Sequence, residues 1–152
     1  MTFLRMEELD LTGKHVLIRE DLNVPIRNGV VSNDMRIKAA LPTIEQVRAE
    51  SETVILMSHL GRPEEGKPIS KQPEFSLRPI ANRLAELLAC RVELIEDYLD
   101  KPDAVRNSDA DIVLLENVRI NSGEKANDDG LATHYAKLCD VFVMDAFGTA
   151  HR

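Results

Sequence analysis

Five short runs of apolar, β-branched-rich residues recur along the chain: His15 to Arg19, Thr53 to Met57, Arg91 to Ile95, Asp111 to Leu115 and Val141 to Met144. Their length and composition predict strands. The cores of four of them are unbroken: Val16-Leu17-Ile18, Val54-Ile55-Leu56-Met57, Ile112-Val113-Leu114-Leu115 and Val141-Phe142-Val143-Met144. A strand with one wet face alternates apolar and polar residues, whereas these continuous runs suit strands covered on both faces, which means a parallel sheet.

Between the strands the apolar spacing changes to that of helices. From Asp34 to Ala49, Ile37, Leu41, Ile44 and Val47 share a face, with Pro42 expected to kink the helix or to begin a second segment. Ser76 is placed to cap a second helix whose stripe is Leu77, Ile80, Leu84, Leu87 and Leu88. A third is expected from Asp128 to Leu138, with Leu131, Tyr135 and Leu138 on one side. Strands alternating with helices predict an α/β fold: a doubly wound, mostly parallel sheet with helices on both faces, a Rossmann-like three-layer arrangement with right-handed crossovers. The proline-rich stretch from Pro63 to Pro73 reads as a long surface loop and the most mobile segment. Asp145-Ala146-Phe147-Gly148-Thr149-Ala150-His151-Arg152 follows a strand with no helix to cover the last crossover, so the domain is expected to be incomplete at its C-terminal end.

A chain of 152 residues, 43% of them hydrophobic, fits one domain with a real core. Its formal charge of −7 weighs against a nucleic acid or an anionic membrane as the main partner, and 4% aromatic residues offer no stacking surface for bases. The N-terminus lacks the apolar stretch of a signal peptide, and no run approaches the roughly 18 residues of a membrane span, so a cytoplasmic location is expected. Cys90 and Cys139 are far apart and neither belongs to a C-x-x-C, so neither a metal site nor a disulfide framework is expected. Both fit as small apolar residues near helix ends.

In open parallel sheets, ligands bind beyond the carboxyl ends of the strands. Those positions hold Asp21-Leu22-Asn23, His59-Leu60-Gly61-Arg62, Glu116-Asn117-Val118-Arg119, and Asp145 followed by His151-Arg152, with Arg36 one short loop beyond the first strand. Each alone has an ordinary explanation, as a solvated charge or a turn former. Cations gathered at one sheet edge of an acidic chain point instead to a pocket for a small, multiply anionic ligand. Gly61 to Lys67 matches the spacing G-x-x-x-x-G-K of a phosphate loop. It fails as one because Pro68 replaces the hydroxyl that would hold magnesium, and Glu64 and Glu65 would face phosphate.

Four segments, in this order, resemble the N-terminal domain of the phosphoglycerate kinase family: Arg19-Glu20-Asp21-Leu22-Asn23-Val24-Pro25, Ser58-His59-Leu60-Gly61-Arg62-Pro63, Leu115-Glu116-Asn117-Val118-Arg119, and Asp145 to Arg152. The resemblance runs from Lys14 to Arg152. Glu20 departs from it, standing where many relatives have valine or alanine, as does Ile120, where an aromatic is usual. The family implies reversible phosphoryl transfer between 1,3-bisphosphoglycerate and ADP, giving 3-phosphoglycerate and ATP, in glycolysis. On that resemblance residues 1–152 form the 3-phosphoglycerate-binding domain. Asp21 and Asn23 would bind the hydroxyl and carboxyl region, and His59, Arg62, Arg119 and Arg152 would surround the phosphate that stays. Arg36 would face the reacting carboxyl and the phosphoryl in flight, and main-chain groups of Leu60 and Gly61 would complete the pocket. The magnesium nucleotide, Mg-ATP or Mg-ADP, would sit on a C-terminal domain absent from this chain. No cofactor and no metal are therefore expected here, and the chain alone should be inactive. The full-length enzyme is expected to be a monomer. A stand-alone module binding phosphate esters, without kinase activity, is the alternative.

Overall fold

In the computed structural model, which describes residues 2–151, all five apolar runs are strands of one parallel sheet. They are β1 (His15–Arg19), β4 (Thr53–Met57), β5 (Val92–Ile95), β6 (Ile112–Leu115) and β7 (Val141–Met144). The strand order is β5-β6-β4-β1-β7, so β4 lies at the centre between β6 and β1 and the two edges are the third and last of these strands in the chain. Neighbouring strands run in register, with Val16 beside Val54 and Val141, and Val54 beside Ile112. Among the described residues, no helix is long and apolar enough to cross a membrane.

Helices cover both faces, which explains the unbroken apolar runs. On one face α1 (Met35–Glu50) and α2 (Arg78–Leu88) pack Ile37, Ile44, Ile80 and Leu84 against Val16, Ile18, Val54 and Leu56. On the other, Val105 of α3 (Pro102–Arg106), Tyr135 of α4 (Asp129–Ala136) and Leu138 just beyond it meet Leu17, Ile55, Val113 and Leu115. Alternate residues of each strand thus serve two cores. Each fully buried Leu or Ile contributes about 1.5–3 kcal/mol, so the central strands anchor both layers.

Several local expectations are corrected. Pro42 neither splits α1 nor starts a new segment: one helix runs through it. The ring removes a single backbone donor, while Ile37 and Ala40 before it and Ile44 and Val47 after it are buried on the same sheet face and hold both halves in line. Ala40 takes the buried position expected of Leu41, which is only partly covered. Helix α2 begins two residues after Ser76, with Leu77 at its cap, because a carboxylate from another strand supplies the main acceptor there. The third helix is shorter than expected, and Asp128 Oδ1 caps it by accepting the Leu131 N–H at 2.8 Å.

Three features were not read from the sequence. One is a hairpin of β2 (Ile26–Arg27) and β3 (Val30–Val31), turned at Asn28-Gly29 with φ of 51° and 76°; an Asn-Gly pair was its signal. Another is the short helix α3. The third is the order in the Pro63 to Pro73 segment, which is wrapped round Gln72. That buried side chain accepts the Glu64 N–H at 2.8 Å and donates to the carbonyls of Glu64 and Lys67 at 3.0 and 2.8 Å.

Candidate functional site

Asp21, Asn23, Arg36, Gly61 and Arg119 join in one hydrogen-bonded chain at the carboxyl edge of the central strands. Arg36, in the first turn of α1, donates through Nη1 to Asp21 Oδ1 at 3.3 Å and to the Asn23 carbonyl at 2.9 Å. The Asn23 side chain crosses to the loop after β4, where its Oδ1 accepts the Gly61 N–H at 3.0 Å. The Gly61 carbonyl in turn accepts from Arg119 Nη1 at 3.1 Å. Three loops, beyond β1, β4 and β6, are therefore fixed to one another through the residues whose chemistry suits an anion.

Asp21 has two duties. Its Oδ1 accepts the Asn23 N–H at 3.1 Å, the ordinary turn role of aspartate, and it also holds Arg36. The Arg36–Asp21 pair is about half exposed on each side, so it orients the guanidinium more than it stabilises the fold. Both bonds of Arg36 are made through Nη1, and a guanidinium has five N–H groups, so Nη2 and Nε remain for a ligand.

His59 is buried beside a residue that sequence reasoning missed. Arg19, the last residue of β1 and itself buried, lies with Nη2 at 3.3 Å from His59 Nδ1. A guanidinium only donates, so Nδ1 accepts and the imidazole proton sits on Nε2. His59 thus carries an N–H donor on the ring edge away from Arg19. A charged residue ending an otherwise apolar, buried run was the signal that went unread.

Leu60 and Gly61 act through geometry. The Leu60 side chain is in the core, its carbonyl accepts from Asn117, and both polar main-chain groups of Gly61 are already engaged. Gly61 has φ of +60°, and a Cβ there would lie 2.8 Å from the Phe75 ring. Gly61→Ala is expected to destabilise the fold by about 1–3 kcal/mol through that backbone strain and contact. Thermal unfolding measures it, and an unchanged Tm would show that the loop re-forms without cost.

Arg62 follows Gly61 and is exposed, outside the hydrogen-bonded chain. Arg152 lies outside the described residues. Asp145, after β7, packs by its backbone on β1, its N–H donating to the Arg19 carbonyl at 2.9 Å. Between them sits Glu20, only 2% exposed. Burial, then the hydrogen bond and negative charge of Asp145, then the charge of Asp21, push the Glu20 carboxyl up to about 9 from an ordinary 4.5. It is a neutral acid at neutral pH.

The loop from Gly61 to Lys67 is not built as a nucleotide phosphate loop that leads straight into a helix. Lys67 pairs with Glu64 at 3.5 Å, Pro68 follows, and the next α-helix begins only at Arg78. Among the described residues, no group of three or more His, Cys, Asp or Glu is arranged to hold a metal ion. A cavity of about 290 Å³ opens between α4 and the sheet, walled by Leu17, Met57, Leu131, Tyr135 and Phe142. It includes Arg19 but none of Asp21, Asn23, Arg36 or Gly61, so it is separate from the basic cluster.

Comparison with known proteins gives the same picture from outside. The family model for phosphoglycerate kinase matches residues 6–152. A phosphoglycerate kinase from Coxiella burnetii is 49% identical, with a TM-score of 0.86 over 99% of this chain and 37% of its own. One from Pyrococcus horikoshii OT3 is 30% identical, with a TM-score of 0.82 over 99% of this chain and 38% of its own. The chain thus spans well under half the length of these solved relatives. With the family model matching residues 6–152 and solved relatives 30% and 49% identical over 99% of its length, this chain belongs to the phosphoglycerate kinase family.

Proposed function

We propose that this chain is the glycerate-binding part of a phosphoglycerate kinase, which exchanges a phosphoryl group between 1,3-bisphosphoglycerate and ADP. The observation that carries the reading is the hydrogen-bonded chain from Arg36 through Asn23 and Gly61 to Arg119, which gathers guanidinium groups from separate segments at one sheet edge. Asp21 and Asn23 take the hydroxyl and carboxyl end of the glycerate. Arg62, Arg119 and Arg152, with the Nε2–H of His59, take the phosphate that is not transferred. Arginine forks match phosphate oxygens in shape as well as charge.

Arg36 faces the carboxyl that gives or receives the phosphoryl group. Phosphoryl transfer spreads negative charge over the oxygens in flight, and catalysis is mostly positioning and charge stabilisation. With Nη1 fixed by Asp21 and the Asn23 carbonyl, the guanidinium is oriented before the substrate arrives. The nucleotide is proposed to be held elsewhere in the full-length enzyme, a reading supported, among the described residues, by the loop of phosphate-binding spacing, whose lysine is paired with Glu64 and followed by a proline. The nucleotide belongs to the part of the family's length that this chain does not span.

Calorimetric titration of the chain with 3-phosphoglycerate tests the reading. Binding is expected to be saturable, weaker than in the full-length enzyme, and weakened further by salt, because exposed arginine–phosphate pairs are screened over about 10 Å at 0.1 M. A coupled assay with ATP, magnesium and 3-phosphoglycerate should show no turnover by the chain alone, since donor and acceptor must be held in line. No heat of binding to the full-length enzyme, or turnover by the chain alone, would overturn the assignment.

A further inference from the structure

We propose that Asn117 is a positioning residue for the phosphate-binding loops, an inference that rests on the site assignment just given. Asn117 is fully buried two residues beyond β6 and two residues before Arg119. Its Nδ2 donates to the Leu60 carbonyl at 2.8 Å and to the Phe75 carbonyl at 2.9 Å, while its Oδ1 accepts the Arg119 N–H at 3.2 Å. A carboxamide has two N–H donors and one oxygen acceptor, and here all three are used, each on a different backbone segment.

The consequence follows from what those segments carry. Leu60 precedes Gly61, whose N–H and carbonyl bind Asn23 and Arg119. Phe75 supplies the ring that lies over Gly61. The Arg119 backbone starts the side chain that reaches the Gly61 carbonyl. One buried carboxamide therefore sets the spacing of the loops after β4 and β6, together with the end of the Gln72 segment.

Glu116 holds Asn117 in turn. Its Oε1 accepts the N–H groups of Asn117 at 2.9 Å and Leu77 at 2.7 Å, and its Oε2 accepts from the Ser76 hydroxyl at 2.7 Å. A buried carboxylate at the start of α2 is favoured by the helix dipole. The Glu116-Asn117 pair thus ties the anion-facing loops to a rigid helix end. A side chain without the amide removes the donor to both the Leu60 and the Phe75 carbonyl and leaves the loops free to separate.

The experiment uses the full-length enzyme and four variants: Asn117→Ala, Asn117→Ser, Arg119→Ala and, as a control for lost packing, Val118→Ala, whose side chain is buried in the same turn. For each, KM for 3-phosphoglycerate, KM for ATP, kcat and Tm are measured. Asn117→Ala is expected to raise KM for 3-phosphoglycerate about tenfold, with KM for ATP unchanged. Val118→Ala should lower Tm while leaving both KM values in place. If Asn117→Ala does not fold, Asn117→Ser, which keeps one shorter donor, should show a smaller rise in the same KM. An unchanged 3-phosphoglycerate KM in the variant that folds, or an equal rise in Val118→Ala, overturns the positioning role. An unchanged KM in Arg119→Ala would instead remove the site assignment, and the inference with it.

Discussion

Arg36→Ala in the full-length enzyme is expected to lower kcat by roughly 10²-fold or more, while KM for 3-phosphoglycerate changes less. The reason is where its charge is needed. Arg36 is exposed and, among the described residues, donates through Nη1 to Asp21 and the Asn23 carbonyl, both at the surface, so its loss should leave Tm nearly unchanged. On the proposed assignment, the glycerate is held in the ground state by other groups, and in the transition state negative charge grows on the oxygens beside the guanidinium, where a preorganised donor is worth most. Lysine keeps the charge but not the planar fork that Asp21 and the carbonyl hold in place, so Arg36→Lys should recover only part of the rate. Equal kcat in Arg36→Ala and the parent would take Arg36 out of the mechanism.

The second large effect is on stability and follows from Glu20. Its carboxyl titrates near 9 in the folded chain against an ordinary 4.5, so between those values the native state holds a proton that the unfolded chain has released. Unfolding then releases a proton, and stability falls as pH rises across the window. The stabilisation is complete below pH 4.5 and is lost as pH approaches 9. Glu20 Oε1 is buried without a hydrogen-bond partner, which a neutral acid tolerates far better than a carboxylate does. Glu20→Gln keeps the shape and removes the titration. Thermal unfolding from pH 5 to pH 9 should show the parent losing Tm steadily against the variant, with Glu20→Gln the more stable at the alkaline end. Parallel curves would show that Glu20 does not carry this linkage. Because Glu20 lies between Asp21 and Asp145, the same titration should loosen the β1 loop that presents Asp21 and Asn23.

How much of this was legible from the residues differs from element to element. The five strands were readable because a strand covered on both faces must be apolar throughout, and that condition leaves a mark within four or five consecutive residues. The cluster residues could be named because strand ends are where parallel sheets bind ligands, and Asp21, Asn23, His59, Gly61 and Arg119 all fall just past such ends. That placement alone pointed to an anionic ligand, whereas the role expected of each residue came from the family resemblance. The hairpin at Asn28-Gly29 was legible and was passed over. No second segment begins at Pro42 because a local rule about one missing hydrogen bond was outweighed by four buried side chains, two on each side of it.

What the amino-acid sequence by itself determined is therefore local: which runs are strands, which stretches are helical, and which loops hold charge. The tertiary structure alone decided the order β5-β6-β4-β1-β7, because pairing depends on crossovers rather than on the runs they connect. It alone showed that Arg19 ends buried against His59, 40 residues away, and that Asn117 reaches Leu60 across 57 residues. It also made Glu20 a neutral acid by burying it beside Asp145. The physical reason is the same in each case. Propensity and periodicity act within one or two turns of chain, whereas burial, hydrogen-bond partners and the charge state of a carboxyl are set by whichever segments the fold brings alongside.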